Sequence, residues 1–277
     1  MLNQQAIKEA TLAAGVCPGD ILLVHSSFKS LGPVEDGAET VIAGLLDAVG
    51  PEGTLVLPTL SQKNFATSYE TWHINKPSDT GYLTEYFRTR PGSFRSDQAT
   101  HSVAASGAKA QWLTETHGHT HKRFGSMGDT PFSADSPWEK MYQENAKIMM
   151  LGVSTRYTTF RHYVEYVYIE KILKALEGSP SYDELKGQLW CWEKPGGPWP
   201  HICNTWICEQ LALQGKAQTS TCGNATFTCY SARDFVDLAM HYLDVREREA
   251  LWDSDDSWVP YWNQWLAEYD AAIAKMK

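Results

Sequence analysis

The chain has no Cys-x-x-Cys pair, no internal repeat, no low-complexity linker, and no apolar run near the ~20 residues that a membrane-spanning helix needs. Cations are also scarce: 24 Lys and Arg stand against 33 Asp and Glu, a formal net charge of −9. The acidic balance argues against a nucleic-acid partner, whose phosphates demand a basic surface. It permits a cationic substrate drawn into a negative cleft. The six cysteines, at 17, 191, 203, 208, 222 and 229, fit no structural zinc spacing. The opening MLNQQAIKEATLAAG has no basic segment followed by an apolar one and reads as a short amphipathic helix. The chain is therefore expected in the cytoplasm and off the membrane, with reduced thiols.

What is present suits a globular enzyme. Across 277 residues, 43% are hydrophobic and 21% charged, enough for one continuous domain over 1–277. ILLVHS at 21–26 and TLVLPTL at 54–60 are apolar, strand-like runs. Between them Asp36 and Glu39 predict a capped helix ending near Val49, closed by Gly50-Pro51. This β–α–β order predicts neighbouring parallel strands buried on both faces. A helix carrying Tyr82, Leu83, Tyr86 and Phe87 on its apolar side is expected next, then a short strand at 102–105. Ser136-Pro137 opens a further helix, with Pro at its first position. KIMMLGV at 147–153 is a buried strand, FRHYVEYVYIEKILKAL opens a long helix near residue 159, and Ser231 starts another. The part from about 176 to 230 is read as turns and antiparallel strands, and 258–276 as a Trp-rich helix.

Four constellations could carry chemistry. In His25-Ser26-Ser27-Phe28-Lys29-Ser30, hydroxyls, turn N–H groups and a lysine make a cradle for pyrophosphate, or simply a polar turn. Thr100-His101-Ser102 sets an imidazole between hydroxyls, able to donate to a carbonyl or to bond neighbouring backbone. His162 and Glu165, three apart on a helix, share a face, so the carboxylate can raise the imidazole pKa and fix its tautomer. His117-x-His119-x-His121 has the alternation of a metal site, but Gly118 and Lys122-Arg123 favour an exposed loop there.

These residues resemble the aminoglycoside N3-acetyltransferase (antibiotic acetyltransferase) family over about residues 5–170. The marks are GDILLVHSSFKSLGPVEDG, GPEGTLVLPT, FRS before THSVAASG, DTPFSADSPWEKM, and MMLGV with TTFRHYVEY, in the family's order. The resemblance implies a three-layer α/β/α sandwich around a central mixed, largely parallel sheet, with an irregular Trp-rich C-terminal part. It implies acetyl transfer from acetyl-CoA to the 3-amino group of an aminoglycoside or a related amine, with no metal. His162 becomes the general base and Glu165 its partner, while Glu193 in LWCWEKP is the nearest candidate for a second orienting acid. Coenzyme A is expected against His25, Ser26, Ser27, Phe28, Lys29, Ser30, Thr100 and Ser102, with His101 acting directly or as support. The sequence departs from the family at Gln98-Ala99, where His-Pro is frequent, and at Thr158, where asparagine is usual. Arg156 replaces a residue that is often acidic, and a cation there would repel a polyamine sugar.

That chemistry is consistent with the residues. A braced imidazole takes the amine proton as nitrogen attacks the thioester carbon in a ternary complex, without a covalent enzyme intermediate. The partners are then a small amine and coenzyme A, and a homodimer is compatible. Two other readings stand beside it: a metal-dependent hydrolase built on the 117–121 histidines, and a non-catalytic protein holding coenzyme A or an amine sugar.

Overall fold

A computed structural model describes residues 1–61, 63, 71–117, 131–189, 200–252 and 258–276. Strand β1 (Ile21–Ser26) lies between β2 (Thr54–Pro58) and β5 (Lys147–Leu151) and pairs parallel with both. Successive side chains point to opposite faces, so these strands feed two separate cores. Leu22, Val24, Leu55, Leu57 and Met149 pack beneath helices α1 (Gln4–Ala13), α2 (Ala38–Val49) and α3 (Tyr82–Thr89). Leu23, Val56, Ile148 and Met150 face the other layer. That layer holds α4 (Ala110–Thr114), α5 (Pro137–Gln143), α6 (Phe160–Ala175), α8 (Asn204–Leu213), α9 (Ala232–Asp244) and α10 (Trp258–Met276). Helix α7 (Pro180–Leu189) follows α6. Covering both faces is why the central strands carry continuous apolar runs rather than an apolar residue at every second position.

The expected mixed sheet and three layers are present, but the parallel part is confined to the centre. Strands β3 (Phe94–Arg95) and β4 (Val103–Gly107) extend the sheet antiparallel beyond β2. The hairpin β6 (Ala217–Cys222) and β7 (Ala225–Ser231) extends it antiparallel beyond β5. The order is β3-β4-β2-β1-β5-β7-β6. In the C-terminal part, the hairpin completes the sheet and the helices cover one face. Trp190, Cys191, Trp192, Glu193 and Trp199 lie outside the described residues.

Local signals behaved unevenly. Ser136 and Ser231 cap α5 and α9, accepting from the N–H groups of Glu139 and Asp234. Asp36 does not cap α2. It sits at φ 47°, and Gly37 at φ 67° takes the cap position without a side-chain bond. Of the four apolar residues expected on the inner face of α3, Leu83 and Phe87 are buried, whereas Tyr82 and Tyr86 face outward. No helix among the described residues is long and apolar enough to cross a membrane. The described cysteines are free thiols.

Candidate active site

Parallel strands end together, and side chains just beyond their C-terminal ends converge. The chain runs from β1 to β2 on one side and later returns to β5 on the other, which leaves a crevice beside β1. A cleft of about 500 Å³ opens there. Its walls come from His25 and Ser26 at the end of β1, Pro58 and Leu60 after β2, and Val153 after β5. His101 enters ahead of β4, Asp79, Thr80 and Gly81 lead into α3, which adds Thr84, and Arg156 to Thr159 lead into α6, which adds Arg161 and His162.

His162 lies in the first turn of α6, with 16% of its side-chain surface open on the cleft side. Its Nδ1 is 2.8 Å from Glu165 Oε2, and Glu165 is fully buried. The other carboxylate oxygen accepts the backbone N–H of Ile202 at 2.9 Å. Burial would raise the Glu165 carboxyl, but the charge and hydrogen bond of His162 outweigh it and keep the group ionised. Burial lowers the His162 imidazole; the Glu165 charge opposes that shift and Arg161 adds to it. Arg161 Nε donates to His162 Nε2 at 3.3 Å. Nε2 is then an acceptor and the ring proton sits on Nδ1, the form a general base needs.

His101 is the second imidazole, its ring centroid 5.5 Å from that of His162 in an edge-to-face arrangement. Phe132 packs under both rings, which dries the floor of the site. Gln98 builds the turn: its Oε1 accepts from the N–H of Thr100 at 2.8 Å and of His101 at 2.5 Å. Thr100 Oγ1 meets His101 Nδ1 at 2.9 Å, and Trp138 Nε1 donates to the His101 carbonyl. His101 Nε2 is buried with no partner among the described residues. Burial, with His162, His117 and Arg161 adding, holds its pKa far below the ordinary value, so the ring is neutral. His25 is buried too, and burial alone brings it down to about 4. Its Nε2 accepts the Thr159 N–H at 3.5 Å.

The structure thus gathers His162, His101, His25 and Ser26 on one cleft, with Glu165 and Thr100 directly behind. Other expected site residues fall elsewhere. Ser102 is turned away: its hydroxyl donates to Thr59 O at 2.9 Å and lies beside Arg95. Ser27, Phe28, Lys29 and Ser30 do not line this cleft. They form a 3₁₀ turn in which Ser30 Oγ donates to Ser27 O and Phe28 packs on Tyr82. Gly152, at φ 63°, lets that turn press on the end of β5, because a Cβ there would collide with Ser30 Oγ. Glu193 lies outside the described residues, and Glu165 already holds the inner nitrogen of His162.

His117 contradicts the expected exposed loop. It is buried, with Nδ1 on Ser96 Oγ at 2.8 Å and Nε2 on the Pro131 carbonyl at 2.9 Å. Both ring nitrogens are engaged, so it is not poised as a metal ligand; His119 and His121 lie outside the described residues. Arg161 and Gln98 were not among the candidates, although Arg161 adjoins His162 and Gln98 lies two residues before Thr100. The Ile202 amide and Asn204, whose Nδ2 ties the carbonyls of Arg156 and Thr158, gave no signal in the sequence.

The fold is shared with solved acetyltransferases. AAC-IIIb, in a binary complex with CoASH, matches with a TM-score of 0.68 at 20% identity, covering 88% of this chain and 97% of that one. AAC-VIa bound to sisomicin matches with a TM-score of 0.64 at 21% identity, covering 88% and 98%. In sequence, an aminoglycoside N(3)-acetyltransferase III from Salmonella sp is 36% identical over 275 residues, 88% of this chain and 92% of the relative. The class is therefore acyltransferase. The model of the aminoglycoside 3-N-acetyltransferase family matches residues 23–244, and the chain belongs to that family.

Proposed function

We propose that this enzyme moves an acetyl group from acetyl-CoA to the 3-amino group of an aminoglycoside, or to a related amine, in one ternary complex. The observation that carries the reading is the Glu165–His162 pair, 2.8 Å apart, with the imidazole on the cleft wall. An amine near pH 7 is mostly protonated, so it first gives one proton to solvent and attacks as the neutral amine, which must lose a second proton to become an amide nitrogen. Neutral His162 accepts the proton at Nε2 as nitrogen attacks, and Glu165 stabilises the imidazolium that forms. The N–C bond forms, the C–S bond breaks, and the proton returns from His162 to the departing sulfur. In its Nε2–H tautomer, the buried and unpartnered nitrogen of His101 fits a thioester oxygen, which needs a donor as charge develops there. His25 and Ser26 would bound the acyl donor. Burial pushes the Cys208 and Cys229 thiols up to about 12, which supports direct transfer over a cysteinyl intermediate.

Relatives named for coenzyme A and aminoglycoside complexes support both substrates for this chain. We place the enzyme in the cytoplasm, where its acyl donor is made, and read a homodimer as compatible. Thiol release from acetyl-CoA, measured against a panel of aminoglycosides and simple amines, tests the activity. Turnover is expected with at least one aminoglycoside. Silence toward aminoglycosides with turnover of a simple amine would move the acceptor, and silence throughout would remove the reading.

A further inference from the structure

Arg161 stands immediately before the base on α6, and none of the roles above explains it. Its Nε–H points at His162 Nε2, the atom to which the acceptor's proton must go. A guanidinium can only donate and an ionised carboxylate can only accept, so Arg161 and Glu165 fix the ring from its two ends. At 3.3 Å the Arg161 bond is longer than an ordinary N–H···N contact, and so easily displaced. Helix stability does not account for the residue. A cation in the first turn of a helix faces the positive end of the macrodipole, which costs a few tenths of a kcal/mol or more. Arg161 also forms no ion pair with a carboxylate among the described residues.

We propose that Arg161 is a positioning residue that occupies the accepting nitrogen of His162 between turnovers, keeps the ring neutral, and yields that nitrogen to the incoming amine. The proposal rests on His162 being the general base. A second cation beside the ring opposes formation of imidazolium, and the direction of the His162 shift agrees with that. The other groups facing the ring are Glu165 on the same helix, His101 ahead of β4, and His201 ahead of α8; Arg156 and Asp79 share the cleft. Of these only Glu165 favours the charged imidazole strongly, and Arg161 counters it. The enzyme thereby keeps the orienting carboxylate without letting its charge hold a proton on the base in advance.

The test is the pH profile of kcat/KM for acetyl transfer by the full chain, with Arg161→Leu, Arg161→Gln and Arg161→Lys beside the parent. Without the guanidinium the base protonates at higher pH, so the acid limb moves upward. At pH 6, Arg161→Leu and Arg161→Gln should lose roughly threefold to tenfold more of their plateau activity than the parent does. Arg161→Lys, which restores the charge, should bring the limb back. An unmoved limb in folded Arg161→Leu or Arg161→Gln, or complete loss of turnover at every pH, overturns the proposal. His162→Ala in the same series keeps the two readings apart. If it retains turnover, the general-base assignment itself falls. If it is silent while the limb of Arg161→Leu stays put, only the role of Arg161 falls.

Discussion

His162 and His101 sit edge to face across one floor, yet their surroundings are opposite. The inner nitrogen of His162 meets a buried carboxylate and its outer nitrogen a guanidinium. The inner nitrogen of His101 meets a hydroxyl and its outer nitrogen meets nothing among the described residues. Burial depresses both, but only His162 has a counter-charge that can stabilise it once protonated. The contrast shows how one side chain type is divided between two tasks. A ring backed by a carboxylate can take a proton during turnover, while a ring backed by a hydroxyl stays neutral and can only hydrogen-bond.

Replacing each partner in turn breaks or sharpens that contrast. The largest effect is expected from His162→Ala, a fall of about 10³-fold in kcat with coenzyme A binding retained by calorimetry. Equal loss of binding and rate would mean that the ring only shapes the cleft. Glu165→Gln keeps an acceptor for Nδ1–H but removes the charge, and kcat should drop about 10²-fold in rapid-mix assays. His101→Phe should cost roughly 10- to 10²-fold while leaving the acid limb of the profile almost in place. A limb that moved with His101→Phe would make the two rings equivalent. Gln98→Ala leaves two buried N–H groups without their acceptor and should lower unfolding stability by about 2 kcal/mol in urea titration. The smallest effect on turnover belongs to His25. Its folded pKa of about 4 lies below the unfolded 6.5, so the unfolded chain binds the extra proton. Stability should therefore fall by roughly 3 kcal/mol between pH 6.5 and pH 4, and His25→Phe should flatten that part of a pH series of melts.

The central strands and helices were legible because their signals are local. Apolar runs gave β1, β2 and β5, Ser136-Pro137 gave the start of α5, and the spacing of His162 and Glu165 gave a shared helix face. The outer strands were harder, since nothing within ATFTCYS says that β7 pairs with β5 some 80 residues earlier. The same limit hid the Ile202 amide that holds Glu165. Ser102 turns its hydroxyl to the Thr59 carbonyl, a partner 43 residues away that no local pattern announces. Asp36 looked like a cap, but the left-handed turn at Asp36–Gly37 moved the helix start past it.

The bond from the Ile202 amide to Glu165 has a consequence for biosynthesis. The carboxylate that holds the His162 ring is completed by a stretch that leaves the ribosome well after α6, and β5 waits longer still for β7. A growing chain therefore carries His25, His101 and His162 early and is expected to stay inactive until the stretch bearing Ile202 emerges. Trimming that end should silence the enzyme before it melts the parallel strands.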